Sequence, residues 1–167
     1  MEMNDQLTHD LLQVYDEYIL IFQNFPDVQI NQIPFEGSWT PGQVADHIIK
    51  STKRIPDRHT APPERAFDAK VASIESVFLD FENKRKAPEY VEPGGGPFER
   101  NVILSQFDEL KVRHKAALAD VDLTQLCLNF ELPVVGTMTR YEWYRFFVIH
   151  GQRHLYQLRN IIKVINN

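Results

Sequence analysis

The sequence predicts an all-α fold, a four-helix bundle with a long connection, containing a further short helix, between its second and third helices. Three observations predict it. Four stretches place apolar residues at helical spacing, two of those stretches open on a complete capping signal, and almost nowhere do apolar and polar residues alternate as a half-buried strand requires.

The first helix is expected from Leu7, because Leu7, Leu11, Val14, Tyr15, Tyr18, Phe22 and Phe25 form a stripe of helical period that ends before Pro26. The second opens in SWTPGQVADHIIKS. There Thr40 fits the N-cap, Pro41 the first helical position and Gln43 the third, with Trp39 placed to pack back on Val44. It should run from Pro41 to about Arg54, since the residue ahead of Pro56 is steered out of helical geometry.

Residues 55–98 are interrupted by Pro56, Pro62, Pro63, Pro88, Pro93, Pro97 and the triplet Gly94, Gly95, Gly96, which favours loop. Within them Phe67, Val71, Ile74, Phe78 and Phe81 step by four and three, so a further helical segment is expected. A connection this long either covers a pocket as a lid or wall, or is a plain crossover between helices. After Pro97, the positions Ile103, Phe107, Leu110, His114, Ala117, Leu118 and Val121 give the third main helix. The last helix starts with Thr139 as N-cap, Glu142 as its capping-box partner and Met138 placed to pack on Trp143, and runs to the end of the chain. No internal repeat suggests a solenoid.

Composition narrows the function classes. With 43% hydrophobic and 25% charged residues, the 167-residue chain fits one domain spanning 1–167. The net charge is −5 and the basic residues are scattered among acids, so neither nucleic acid nor a membrane surface is an expected partner. Cys127 is the single cysteine; with nothing nearby to lower its pKa, it reads as a small core residue. The N-terminal MEMNDQLTHD lacks the pattern of a signal peptide, and no apolar run approaches the roughly 20 residues that span a bilayer, so the expected compartment is the cytoplasm.

The last helix raises a chemical question. Its stripe reads Trp143, Phe147, His150, His154, Leu158, Ile161, Ile165, which puts two imidazoles on the face that packs. An unpaired buried polar group costs about 1–3 kcal/mol, so something must compensate both. Residues at i and i+4 project from one side of a helix, which suits two nitrogens converging on one ion. His47, in the series Val44, His47, Ile48 of the second helix, is the third candidate ligand. With the second and last helices parallel in an up-down-up-down order, His47 lies roughly 10 Å and His150 roughly 16 Å along their helices, depths within ordinary offsets. A bound metal and a hydrogen-bonded core both fit this pattern. His114 reads as a hydrogen-bonded core histidine; His9 and His59 look exposed.

Together, SWTPGQVADH and HGQRHLYQ resemble the DinB-like family of small helical bundles, which includes bacillithiol transferases and related thiol-dependent enzymes. The likeness lies in Trp39-Thr40 followed by His47, and in His150, His154 and Gln157. It spans the chain from the first helix to the last. The resemblance implies a divalent metal ion, commonly nickel or zinc, held by His47, His150 and His154, and a homodimer as the family-level expectation. The family takes its name from a DNA-damage-inducible gene and implies no DNA binding, in keeping with the charge.

Three neutral imidazoles leave the charge of a divalent ion uncompensated and coordination positions open, the mark of a catalytic rather than a structural site. Such an ion favours the thiolate of a bound thiol and equally lowers the pKa of bound water. The expected activity is therefore transfer of a small thiol to an electrophilic small molecule, with metal-assisted hydrolysis as the alternative and a non-catalytic binding or dimerisation bundle as a third reading. Gln157, one turn beyond His154, is placed to orient an imidazole; Asp46 projects about 100° away from His47 around the helix. Glu142 already has a capping role, Tyr15 and Tyr18 fall on a core stripe, and no general base is assigned.

Overall fold

The computed structural model describes residues 3–167. Helices α1 (Met3–Asn24), α3 (Pro41–Ser51), α5 (Arg100–Leu118) and α6 (Arg140–Ile165) form the bundle; α2 (Asp27–Ile30) is a single turn after Pro26, and α4 (Val71–Phe78) lies within the long connection. Helix α1 begins ahead of Leu7 because its polar first turn is anchored: Asn4 donates its amide to the carbonyls of Leu118 and Val121. Helix α3 stops at Ser51 rather than near Arg54, where the Thr52 N–H and hydroxyl both close on the Ile48 carbonyl. Helix α4 is shorter than the Phe67–Phe81 periodicity suggests. Thr139 holds the Phe67 carbonyl at one end, and the Phe81 ring leaves the series to stack on Tyr156. The described residues contain one two-stranded ribbon, β1 (Thr60–Ala61) antiparallel to β2 (Leu126–Cys127), with Thr60 opposite Cys127.

Side-chain contacts fix the helix directions. Asn4 meets the end of α5 while Lys111 pairs with Asp16, so α5 runs opposite to α1. Arg145 pairs with Asp10 and Gly151 meets Tyr18, so α6 runs with α1. Trp39 lies on His154, and His47 lies between His154 and His150, so α3 descends as α6 ascends. Helices α3 and α5 are therefore parallel, joined at one end by Gly42 on Phe98 and at the other by the Thr52 carbonyl on His114. The order is up-down-down-up, and the parallel pairing of the second and last helices in an up-down-up-down bundle is corrected to an antiparallel one. The physical reason is the connection. Two parallel neighbours need a link that travels back along the whole of α3, about 16 Å, and the segment after Thr52 does so.

Helix α6 is the centre of the molecule. From Phe146 to Gly151 every residue is buried, because α1, α3 and α4 all pack on it. Gly151 permits this: a Cβ there would lie 2.5 Å from Val14 Cγ1, so only glycine lets α1 approach the turn that carries His150. Tyr18 donates its hydroxyl to the Gly151 carbonyl at 2.8 Å, and burial keeps that phenol protonated. Cys127 is buried, and burial pushes its thiol up to about 12, in keeping with a packing role. No described helix is long and apolar enough to cross a membrane.

Candidate metal centre

The capping boxes set the phase of both helices that carry the site. In α3, Gln43 N–H donates to Thr40 Oγ1 at 3.1 Å and Gln43 Oε1 accepts from Thr40 N–H at 3.0 Å, which fixes the first turn and turns His47 inward two turns later. In α6, Thr139 and Glu142 do the same at 3.2 and 2.9 Å. His150 and His154 follow, one turn apart.

The structure brings the three histidines together by their Nε2 atoms. His150 Nε2 lies 3.3 Å from His47 Nε2 and 3.1 Å from His154 Nε2. Nitrogens bound to one tetrahedral ion at about 2.0–2.1 Å stand about 3.3 Å apart, which these two separations match, and the three ligand atoms all lie within 4.8 Å of one another. The outer nitrogens decide the protons. His47 Nδ1 faces the Val91 carbonyl at 2.8 Å and His154 Nδ1 faces Gln157 Oε1 at 2.6 Å, contacts that require N–H on both Nδ1 atoms. Both Nε2 atoms are then lone pairs aimed at His150. A neutral His150 satisfies at most one of them, and its own Nδ1 is buried without a partner. Every protonation pattern of three neutral rings thus leaves at least one Nε2 lone pair at the convergence unmatched, which a cation there would satisfy; His150 Nδ1 stays without a partner in either case.

Burial keeps the rings neutral. His47, His150 and His154 are 3%, 7% and 8% exposed. Desolvation lowers the pKa of His47, holds His150 well below the ordinary range with His154 and His47 adding like-charge repulsion, and takes His154 down to about 3. Neutral imidazoles are the form that ligates. His150, with no Nδ1 partner, is positioned by packing instead: Phe146 stacks on it and Phe78 meets it edge-on.

The connection supplies the rest of the site. Gly94 N–H donates to Asp46 Oδ2 at 2.8 Å, Gln43 donates to the Gly94 carbonyl and Lys50 to the Glu92 carbonyl, and this clamp delivers the Val91 carbonyl to His47. Asp46 therefore acts on the segment that orients His47. Above the histidines lies a cavity of about 210 Å³ with apolar walls that include Trp39, Phe78, Val91 and Phe146. The connection walls it, as one of the two readings of that segment holds. Sequence reasoning missed Val91, and also Arg85, Lys86 and Arg153, which line the cavity; the first three lie on no periodic stripe or motif, and Arg153, though inside HGQRHLYQ, is off the apolar stripe. His114 stands apart in the core, its Nε2 donating to the Thr52 carbonyl at 2.7 Å, and His9 and His59 are exposed. Tyr15 packs on Phe107 and His114, and neither it nor Tyr18 lines the cavity.

Comparison with known proteins gives a consistent picture. A family model described as the DinB superfamily matches residues 10–158. The uncharacterized protein YuaE of Bacillus subtilis (strain 168) is 29% identical over 139 residues, covering 81% of this chain and 84% of its own. Among solved structures, YfiT from Bacillus subtilis, described as a probable metal-dependent hydrolase with an unusual four-helix bundle topology, superposes with a TM-score of 0.64 at 14% identity over 99% of this chain and 90% of YfiT. At that identity the likeness is one of fold.

Proposed function

The chain belongs to the DinB superfamily, and from that premise we propose that it is a divalent-metal-dependent enzyme that activates a small thiol for transfer to an electrophilic small molecule. The observation that carries the reading is the convergence of three buried Nε2 atoms, two of them lone pairs by the hydrogen bonds of their rings, at the foot of a cavity. His47, His150 and His154 would hold the ion, and an all-imidazole set suits nickel or zinc. Such an ion supplies Lewis acidity that favours the deprotonated form of a thiol at neutral pH.

The protein's own residues do the remainder. Val91 and Gln157 hold two rings in the ligating tautomer, Phe78 and Phe146 hold the third, and the apolar walls limit competing water. Cys127 lies outside the cavity with its thiol protonated, so the nucleophile comes from a bound molecule. No aspartate or glutamate among the described residues lines the cavity, which gives water no carboxylate base and favours a thiol, more acidic than water to begin with. Hydrolysis is the second reading, favoured by the description of YfiT.

Elemental analysis of protein purified without an affinity tag tests the centre: one divalent ion per chain is expected, lost in His47→Ala. Steady-state assays then compare a thiol plus a model electrophile with an ester panel. Turnover that needs the thiol and stops with chelator supports transfer; thiol-independent, chelator-sensitive ester cleavage replaces it with hydrolysis. Protein without stoichiometric metal rejects both.

A further inference from the structure

The cavity above the histidines is walled on one side by residues of a single sign. Arg85, Lys86 and Arg153 line it, and no carboxylate among the described residues does. The same three side chains, with Trp39 and His154, also line an adjoining groove of about 550 Å³, so they form the wall that the two spaces share; the groove's lining adds Lys84 and one carboxylate, Glu92. On a chain of net charge −5 this is a local reversal.

None of the charges on this wall is engaged in an ion pair among the described residues. Arg153 donates to the carbonyls of Phe78, Asp80 and Asn83 at 3.0, 2.8 and 2.6 Å, neutral acceptors that fix the start of the strap, the part of the connection after α4 that carries Arg85 and Lys86. Arg85 and Lys86 are exposed, and neither they nor Lys84 has an ion-pair partner among the described residues. Neutral imidazoles add nothing to offset an ion at the foot of the cavity. The wall thus gathers positive charge at the edge of a cavity that has no carboxylate of its own, which favours an incoming anion.

We propose that the substrate taken at this centre is anionic, carrying a carboxylate-type group set back from its reacting atom, and that Arg85 and Lys86 bind that group at the wall between cavity and groove. The inference rests on the reading of the histidines as a metal centre and names the charge of what it takes. Arg85 and Lys86 are specificity-determining residues on this account; Arg153 positions their strap.

The test uses full-length protein loaded with cobalt(II), whose thiolate charge-transfer absorption reports binding without turnover. Three thiols are titrated: 3-mercaptopropionate, neutral 2-mercaptoethanol and cationic cysteamine. The anionic thiol is expected to bind about tenfold tighter than the neutral one, with cysteamine weakest, and the preference is expected to shrink with added salt. In Arg85→Gln/Lys86→Gln, whose side chains are exposed and bear no structural contact, the preference is expected to fall to about twofold with cobalt stoichiometry unchanged. Equal affinities in the wild type, or a preference that survives the double variant, overturns the proposal and leaves thiol activation standing. Succinate and succinamide, followed by the cobalt d–d bands, separate the opposite case. If no thiol gives a charge-transfer band but succinate binds more tightly than succinamide through Arg85 and Lys86, the thiol reading falls and this one holds. Failure to bind cobalt overturns both.

Discussion

Two buried polar clusters sit on α6, and they are built in opposite ways. At its first turn Glu142 is fully buried, yet each oxygen is matched: Arg65 donates to Oε1 and Oε2 at 2.6 and 2.7 Å, Lys70 N–H to Oε1 and Thr139 N–H to Oε2. Around it Thr139 holds the Phe67 carbonyl and Lys70 Nζ the carbonyls of Val135 and Thr137. At mid-helix His47, His150 and His154 aim acceptors at one another and leave His150 Nδ1 with none. Both clusters tie the connection to the bundle, the first through Arg65 and the second through Val91. The first satisfies itself and so serves stability. The second satisfies the outer nitrogens of His47 and His154 only, and leaves the Nε2 atoms at its centre and His150 Nδ1 unmatched.

The largest expected effect comes from breaking the satisfied cluster. Glu142→Gln removes the charge opposite a partly buried Arg65 and one of its paired acceptors, and is expected to lower unfolding free energy by about 3 kcal/mol in urea titrations. Metal content per folded chain should stay unchanged, because the two clusters share α6 and the connection but no side chain. A loss of metal in folded Glu142→Gln protein would show that they are coupled. The unsatisfied cluster should respond with the opposite sign. His150→Leu replaces a crowded polar ring by an apolar one, so the metal-free protein is expected to gain about 2 kcal/mol while stoichiometric metal binding is lost. Destabilisation of the metal-free His150→Leu protein by a similar amount would mean that the three rings are a structural network after all.

Most of the local construction was legible in the sequence. Thr40 with Gln43 and Thr139 with Glu142 span three residues each, so the chemistry that starts both helices lies in adjacent letters. The inward direction of His47, His150 and His154 followed from the 3.6-residue period alone. The direction of α3 relative to α6 was not legible from depth, since a histidine in mid-helix meets its partner whichever way the helix runs. That information lay in the length of the connection, which a parallel pair requires. Arg65 and Val91 were invisible for a related reason: they act across the fold from aperiodic segments, through a side chain or carbonyl whose partner lies on another element, and Arg85 lies in the same kind of segment. Thus the stripes disclose the three histidines and, with Gln157 and Phe146, part of what orients them, while the Val91 carbonyl that faces His47 comes from the aperiodic connection.

His114 sharpens the contrast because it is a buried histidine without a cluster. It is 1% exposed, stacked near Tyr15, and donates Nε2–H to the Thr52 carbonyl where α3 ends. Burial lowers its pKa to about 4 against an ordinary 6.5. The folded state therefore keeps the ring neutral while the unfolded chain takes up a proton as pH falls below 6.5. The stability it contributes is whole above that pH, declines between 6.5 and about 4, and changes no further below. In His114→Gln, which retains a donor for the Thr52 carbonyl, the loss of unfolding free energy between pH 7.5 and 5 is expected to be smaller than in the wild type by on the order of 1–2 kcal/mol, measured with chelator present. Metal binding should be untouched, since His114 lies outside the convergent set. An unchanged acid limb would assign the pH dependence to the triad alone; a changed metal content would mean that the end of α3 helps to set His47.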